Sequence, residues 1–285
     1  MELSNLNITV VGLGLIGGSF CKTIKRQLGI RCDGLDADSS VAEKALADGT
    51  IRRAVTLEQL GEADLTIVAL HPRQTIRFLL EHTGDFRPGS IVMDVCGIKT
   101  AVIEAVSGPL REKGVRFVGT HPMAGREFSG YDYALPDLFD HASFIITPVD
   151  TTDQEAVETV VALAEAMRFE RVVLSSPENH DRIIAFTSQL AHVVSNAYIK
   201  SPSAQDQMGF SAGSFLDLTR VAKLNENMWT DLFMMNRVPL LLELDTIIAH
   251  LCEYRDALRE EDSSRLKQLL RDGRVLKEQS MERSQ

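Results

Sequence analysis

The sequence predicts an α/β fold, in which an N-terminal doubly wound and mostly parallel sheet is followed by an all-α domain. Two observations predict the sheet. The strand-like run Ile8–Val11 leads directly into a glycine-rich turn, and short β-rich runs alternate with helical stretches as far as Leu174. A third observation predicts the all-α domain, because apolar residues recur only at helical spacing after Pro177. We therefore expect two domains, residues 1–175 and residues 176–285.

The turn after the first strand carries three glycines in the spacing G-x-G-x-x-G, at Gly12, Gly14 and Gly17. The first glycine would permit a tight turn, the second would let a pyrophosphate approach the backbone, and the third would let the following helix pack on the strand. This strand, turn and helix pattern is typical of a Rossmann-type dinucleotide-binding domain. Leu15 and Ile16, which stand between the second and third glycines, are also expected to bind the cofactor.

The second strand is expected to end in an acid, Asp36, about 20 residues after the third glycine. A carboxylate at this position would accept hydrogen bonds from the adenosine ribose and would repel a 2′-phosphate. The cofactor predicted from the residues is therefore NAD rather than NADP. The alternative is an ordinary loop aspartate that caps the next helix.

Further strand-like runs occur at residues 65–70, 91–94, 115–118 and 143–147. In a doubly wound sheet the residues that follow each strand face one crevice at the carboxyl edge. We therefore expect Leu70 and His71 to line the cofactor, and Gly97 and His121 to face the same crevice. For His71, a role as a capping or surface histidine is the alternative.

His121 lies in a segment, residues 119–130, that is rich in glycine and is typical of a loop leaving a strand. Histidine can take up a proton near neutral pH, and Pro122 restricts the backbone of the residue before it. His121 is therefore a candidate for acid or base chemistry. The alternative is a histidine in a surface turn.

The predicted helical domain contains three further candidate residues. Gln189 and His192 are three residues apart, so both project from one side of a helix. Arg220 stands in an otherwise apolar helical turn and calls for an anionic partner, either a substrate carboxylate or Asp217 three residues earlier. For His192, the alternative is a hydrogen-bonded histidine of the core.

Composition excludes several classes of function. The chain has 30 basic and 40 acidic residues and a formal charge of −10, which argues against nucleic acid or an anionic membrane as the main partner. The four cysteines are scattered without C-x-x-C spacing, so neither a metal site nor a disulfide framework is indicated. No signal peptide or membrane span is apparent, and a cytoplasmic location is expected.

Several motifs together resemble the prephenate and arogenate dehydrogenase family of tyrosine biosynthesis. They are the glycine turn at residues 12–18, D-V-C-G-I-K at 94–99, H-P-M-A-G at 121–125, S-Q-L-A-H at 188–192 and D-L-T-R-V-A at 217–222. The resemblance extends over nearly the whole chain. It implies an NAD(P)-dependent enzyme with a nucleotide-binding domain and a helical dimerisation domain, and hence a homodimer.

The resemblance also implies roles for individual residues. His121 matches the catalytic histidine, His192 the histidine of the substrate pocket, and Arg220 the arginine that binds the side-chain carboxylate. Two positions depart from the family pattern. Gly97 stands where members often have a serine that contacts the catalytic histidine, and Gln189 replaces the first histidine of S-H-L-P-H. We nevertheless expect Gln189 to contact the substrate.

The reaction implied is the NAD-dependent oxidative decarboxylation of prephenate to 4-hydroxyphenylpyruvate. Prephenate is favoured over arogenate because the expected pocket residues include no acid to pair with the ammonium of arogenate. Asp217 and Glu127 are acids that could reverse this preference. Two further possibilities are a different two-domain dehydrogenase of the β-hydroxyacid type and an NAD-sensing protein without catalysis.

Overall fold

A computed structural model describes residues 3–126 and 128–282 of the chain. Its central feature is a seven-stranded sheet in the order β2-β1-β3-β4-β5-β6-β7. Neighbouring strands are parallel except for β5 and β6, which pair antiparallel. The strands are β1 (Ile8–Val11), β2 (Asp33–Leu35), β3 (Leu65–Val68), β4 (Ile91–Asp94), β5 (Arg116–Pro122), β6 (Ser143–Ile146) and β7 (Arg171–Leu174).

Five α-helices belong to the described part of the segment that forms the sheet. They are α1 (Leu15–Leu28), α2 (Ser39–Ala47), α3 (Pro72–Glu81), α4 (Thr100–Glu112) and α5 (Gln154–Ala166). The later part of the chain is helical, with α6 (Pro177–Ile184), α7 (Ala191–Tyr198), α8 (Gly213–Thr219), α9 (Glu226–Met235), α10 (Arg237–Arg259) and α11 (Ser263–Glu282). The predicted fold class, a doubly wound sheet followed by an all-α region, is confirmed.

The sheet is covered on both faces, which explains its continuous apolar strands. All four residues of β1, β3 and β4 are buried. Successive side chains on a strand point to opposite faces, so Val10 joins one buried apolar cluster and Val11 the other. Helices α1 and α5 contribute to the first cluster and α4 to the second.

The strand order places a crevice at a defined position. The chain passes from β1 outward to β2 and then returns to β3 on the other side of β1. At this switch point the loops that follow β1 and β3 diverge to opposite faces of the sheet, which leaves a crevice at the carboxyl edge. The glycine turn follows β1, so it lies at this crevice.

One element differs from the sequence prediction in a way that matters for the site. His121 is predicted in a loop, but β5 continues through Pro122, and His121 pairs with Ile145 of β6. The proline lies at the end of the strand, where a missing N–H is tolerated. The backbone of His121 is therefore held by its pairing with β6 rather than carried by a loop.

The predicted domain boundary between residues 175 and 176 falls in the turn between β7 and α6, where Ser176 caps the helix by accepting a hydrogen bond from Asn179 N. By compactness, the chain divides later, into Met1–Arg237 and Val238–Gln285. The boundary at residue 175 therefore stays a prediction. In the described part of the chain, no helix has the length and apolar character that crossing a membrane requires.

Candidate active site

The glycine turn has the geometry of a cofactor-binding loop. Gly12 has a φ of +85°, and a Cβ on Gly17 would lie 1.9 Å from the carbonyl oxygen of Gly12, so a side chain at either position would disrupt the turn. Around Gly14, by contrast, a Cβ would meet nothing within 4 Å. The backbone is thus open to a ligand where α1 begins, at Leu15, and its N–H groups are available for phosphate.

Asp36 lies beside this turn, as its spacing predicts. One carboxylate oxygen accepts a hydrogen bond from Leu13 N at 2.7 Å, and the other accepts one from Asp38 N at 3.0 Å. These bonds tie the end of β2 to the glycine turn. The cap of the following helix is Asp38, which accepts from Ser40 N. The alternative, in which Asp36 caps the helix, is therefore wrong.

The residues after β3 border the same edge of the sheet. A Cβ on Gly12 would lie 2.8 Å from the side chain of Leu70. His71 is exposed and stands immediately before α3, where it makes no side-chain capping bond. Leu70 is thus placed against the turn, while His71 stands at the start of the neighbouring helix.

His121 lies at the carboxyl edge of the sheet with Gly97 beside it. A Cβ added to Gly97 would be 3.6 Å from His121 Nε2 and 3.7 Å from Leu232 of α9. A serine at this position would therefore bring its hydroxyl close to the imidazole. With glycine, this space beside Nε2 is left open.

Sequence reasoning missed two residues that hold the imidazole of His121 on its Nδ1 side. His121 Nδ1 is 2.9 Å from His180 Nε2, and His180 Nδ1 is 2.8 Å from Asp181 Oδ1. Asp181 also accepts hydrogen bonds from Lys99 N at 2.8 Å and from Thr100 N at 2.9 Å, at the start of α4. The side chains of His180 and Asp181 are buried. A continuous line of hydrogen bonds thus leads from α4 to His121.

The surroundings set the charges along this line. Burial lowers the pKa of His121 well below its usual value, and the neighbouring His180 ring and the charge of Lys99 also disfavour its protonation. Burial also lowers the pKa of His180, although Asp181 opposes the shift. For Asp181, burial raises the pKa, but hydrogen bonds from His180 and Thr100 outweigh it and the net pKa is lowered. At neutral pH both imidazoles are uncharged and Asp181 is an anion.

Lys99 forms a buried ion pair with Asp94 next to the strand that carries His121. Its side chain is fully buried, and Nζ donates to the buried carboxylate of Asp94 and, at 2.6 Å, to the carbonyl of Thr120. Asp94 ends β4 and Thr120 precedes His121 in β5. This pair therefore joins the ends of the two strands that carry the D-V-C-G-I-K motif and the histidine.

His192 lies on α7 in an aromatic contact with α9. Its ring stacks on Trp229 at a centroid distance of 3.7 Å, and Nδ1 bonds the carbonyl oxygen of Ser188 at 2.9 Å. A carbonyl only accepts, so Nδ1 carries the proton and Nε2 is left as an acceptor. Burial lowers the pKa of His192, and the charge of Arg220 lowers it further, so this ring is also neutral.

Helix α9 connects the two histidines. Trp229, which stacks on His192, and Leu232, which approaches Gly97 and His121, are three residues apart and share one face of the helix. Arg220 begins a single helical turn, Arg220–Ala222, that packs against α7. The structure therefore brings His121, His192 and Arg220 to one region of the unit Met1–Arg237.

Gln189 is enclosed by the protein beside α9. It lies in a π-helical segment, Ala185–Leu190, and its side chain is buried. Its amide nitrogen donates to Leu232 O at 3.3 Å, and its amide oxygen accepts from Asn236 at 2.8 Å. Both ends of the amide thus bond to α9 or to the residue that ends it, and the substrate contact expected of Gln189 stays a prediction.

Comparison with known proteins identifies the family of the chain. The family model described as "Prephenate dehydrogenase, nucleotide-binding domain" matches residues 20–173, and the model described as "Prephenate dehydrogenase, dimerization domain" matches residues 176–272. The chain belongs to the prephenate dehydrogenase family. The resemblance inferred from the motifs is thereby confirmed.

Three relatives illustrate the range of this family. The prephenate dehydrogenase of Bacillus subtilis is 32% identical over 269 residues, which cover 91% of this chain and 72% of that protein. The crystal structure of A. aeolicus prephenate dehydrogenase with hydroxyphenyl propionate and NAD+ has a TM-score of 0.87 at 25% identity, covering 98% of this chain and 99% of that one. Synechocystis arogenate dehydrogenase has a TM-score of 0.80 at 27% identity, covering 96% and 100%.

Proposed function

We propose that the chain catalyses the NAD-dependent oxidative decarboxylation of prephenate to 4-hydroxyphenylpyruvate and carbon dioxide. The observation that carries the proposal is the neutral imidazole of His121. Its Nδ1 is hydrogen-bonded to His180, and its Nε2 lies beside the space left open by Gly97. Family membership gives the reaction class, and the A. aeolicus relative was crystallised with NAD+.

In this reaction the C4 hydroxyl of the ring gives its proton to His121 Nε2, and C4 becomes the carbon that bears the phenol oxygen. The bond from the ring to its carboxylate breaks, carbon dioxide leaves, and the ring becomes aromatic. C4 also loses its hydrogen as hydride, and NAD, which the glycine turn and Asp36 would hold, would be the acceptor. A neutral imidazole suits the proton step, and acid or base assistance of this kind contributes about 10² to 10⁴ in rate.

We expect NAD to be used in preference to NADP. Asp36 holds its carboxylate beside Leu13 N, where it can accept from a ribose hydroxyl and repel a phosphate. A 2′-phosphate would need a basic partner, but Arg52 and Arg53, later in the sequence, both bond to Asp33 at the start of β2. The measurement is kcat/KM for each cofactor, with Asp36→Asn as the variant that keeps the shape and removes the charge. A higher kcat/KM for NADP in the wild type would remove this role from Asp36.

We propose that Arg220 binds the side-chain carboxylate of the substrate. Arg220→Gln should raise KM for the substrate by roughly tenfold to a hundredfold, because a charge-assisted hydrogen bond contributes about 1.5 to 3 kcal/mol. The matched control is Asp217→Asn, since Asp217 lies exposed on α8 three residues earlier. A normal KM in Arg220→Gln would instead favour a structural pairing of Arg220 with Asp217.

The preference for prephenate over arogenate is part of this proposal. Asp181, a buried acid near His121, is already bonded to His180, Lys99 and Thr100, so it is not available to an ammonium group. Glu127 lies outside the described residues. Arogenate is the second candidate because the Synechocystis relative is an arogenate dehydrogenase. Measuring kcat/KM for both compounds at one pH with saturating NAD tests the preference, and a value for arogenate equal to or above that for prephenate overturns it.

Gln189 has a structural role in this proposal. It fixes α9 through Leu232 and Asn236, and α9 carries the tryptophan that stacks on His192.

We also propose the domain boundary at residues 175 and 176, which lies between the two family matches.

We propose that the chain forms a homodimer through its helical domain. Apolar side chains are exposed at helical spacing along α10, at Val238, Leu241, Leu242, Ile248 and Leu251. The second family match is described as a dimerization domain. Sedimentation at micromolar concentration should therefore give twice the 31.5 kDa of one chain, whereas a 31.5 kDa species would refute the dimer.

A further inference from the structure

The charge of Asp181 determines which atom donates in each hydrogen bond between Asp181, His180 and His121. Asp181 is an anion and can only accept hydrogen bonds. Its three partners, Lys99 N, Thr100 N and His180 Nδ1, must therefore all donate. Two of these partners are backbone N–H groups, so they fix the carboxylate at the start of α4. His180 consequently carries a proton on Nδ1.

His180 in turn determines which nitrogen of His121 carries the proton. Because burial keeps His180 neutral, its Nε2 has no proton and acts as an acceptor. His121 Nδ1 lies 2.9 Å away and must donate to it. His121 is neutral as well, so its single proton is on Nδ1 and its Nε2 carries the free lone pair. That is the nitrogen beside Gly97.

We propose that His180 and Asp181 are positioning residues, which fix His121 in the tautomer whose unprotonated Nε2 faces the substrate. The proposal rests on the proposed function, because only a base at Nε2 needs this tautomer. In the other tautomer Nε2 would carry a proton and could not accept one from the C4 hydroxyl. Both residues are buried, so in this proposal they act through His121 rather than on the substrate.

The arrangement also assists the charged state that follows proton transfer. When His121 Nε2 takes up a proton, the ring becomes an imidazolium that still donates from Nδ1 to His180. The carboxylate of Asp181 lies on the far side of the His180 ring, and its negative charge stabilises the imidazolium. The buried site therefore accepts a proton from the substrate while keeping all its hydrogen bonds.

A purely structural role is the alternative, since buried histidines bonded to acids also stabilise folds. The tautomer of His121 separates the two explanations. In wild-type protein labelled with ¹⁵N-histidine, NMR at neutral pH should show His121 and His180 each protonated on Nδ1 and unprotonated on Nε2. A proton on Nε2 of His121 would overturn the proposal, whatever the activity of the enzyme.

Two substitutions of His180 add a kinetic test. His180→Gln keeps an oxygen that can accept from His121 Nδ1, whereas His180→Met has similar length and offers no comparable acceptor. We expect His180→Met to lower kcat between about tenfold and 10²-fold, less than the full 10² to 10⁴ of base catalysis because His121 itself remains, and to leave KM for NAD nearly unchanged. His180→Gln should recover a large part of this loss.

The matched control is His82→Met. His82 also bonds an aspartate, Asp85, but it caps the far end of α3 and is remote from the carboxyl edge of the sheet. Its kinetic constants should equal those of the wild type. Equal kcat in His180→Met and His82→Met would overturn the proposal, as would equal losses in His180→Met and His180→Gln when both variants remain folded.

These outcomes are separable from a failure of the proposed function. If the wild type oxidises neither prephenate nor arogenate, the proposed function fails, while the NMR experiment still reports the tautomer of His121. If the wild type is active and His121 carries its proton on Nε2, the function stands and the positioning role fails. Should His180→Met not fold, the wild-type NMR result and His180→Gln decide the question.

Discussion

Replacing His121 by asparagine is expected to lower kcat by roughly 10² or more. Asparagine keeps the capacity for hydrogen bonding but cannot take the proton of the C4 hydroxyl. NAD binding should remain nearly intact, because the glycine turn and Asp36 lie on other elements. The measurements are steady-state kcat with prephenate and the Kd for NAD from titration.

The control for His121→Asn is His82→Asn, which removes a histidine at the end of α3. We expect wild-type kinetics for this variant. Activity of His121→Asn within a few-fold of the wild type would remove His121 from its catalytic role. A large loss of NAD affinity would assign His121 to cofactor binding instead.

Replacing Lys99 by methionine is expected to lower the free energy of unfolding by about 3 to 5 kcal/mol, because it leaves a buried charge without its partner. Lys99 and Asp94 are both fully buried, and Nζ also satisfies the carbonyl of Thr120. Urea unfolding at neutral pH measures the change. Adding Asp94→Asn to Lys99→Met should restore part of the loss, since the second change removes the unpaired charge.

Lys44→Met provides a matched control, because Lys44 also pairs with an aspartate, Asp132. Both side chains of this pair are exposed, by 56% and 66%. Removing an exposed ion pair should change the free energy of unfolding by no more than about 1 kcal/mol. Equal changes for Lys99→Met and Lys44→Met would show that the buried pair contributes nothing beyond a surface pair.

The parts of the site that are predictable from sequence depend on local rules. The tight turn at Gly12 and the contact of Gly17 with Gly12 O follow from a fixed spacing between one strand and one helix. Asp36 is predictable for the same reason, because it ends the next strand of the same unit. His121 and Arg220 stand in motifs whose roles come from the family resemblance.

The parts that sequence reasoning misses depend on contacts between distant segments. His180 follows His121 by 59 residues, and nothing local indicates that a histidine in the first turn of α6 meets the end of β5. Asp181 beside it resembles an ordinary acid near a helix start. The adjacent pair His180-Asp181, just after Pro177, is the local signal that could have pointed to this site.

Two features that sequence reasoning did not foresee have the same physical origin. The sequence predicts a substrate contact for Gln189 because it projects near His192, but it does not reveal that Asn236, the residue after α9, bonds to its amide. The glycine content of the segment after Val118 predicts a loop. Pairing with β6 extends β5 through Pro122, and local composition does not reveal a partner strand.

The stoichiometry of the reaction tests the central claim most directly. Wild-type enzyme with NAD and prephenate should produce NADH, carbon dioxide and 4-hydroxyphenylpyruvate in equal amounts, because hydride transfer and decarboxylation belong to one reaction. NADH absorbance, carbon dioxide release and chromatography of the organic product measure the three. NADH without carbon dioxide would indicate a simple alcohol dehydrogenase, and NAD binding without any NADH would indicate a sensor. Either result would contradict the proposed reaction.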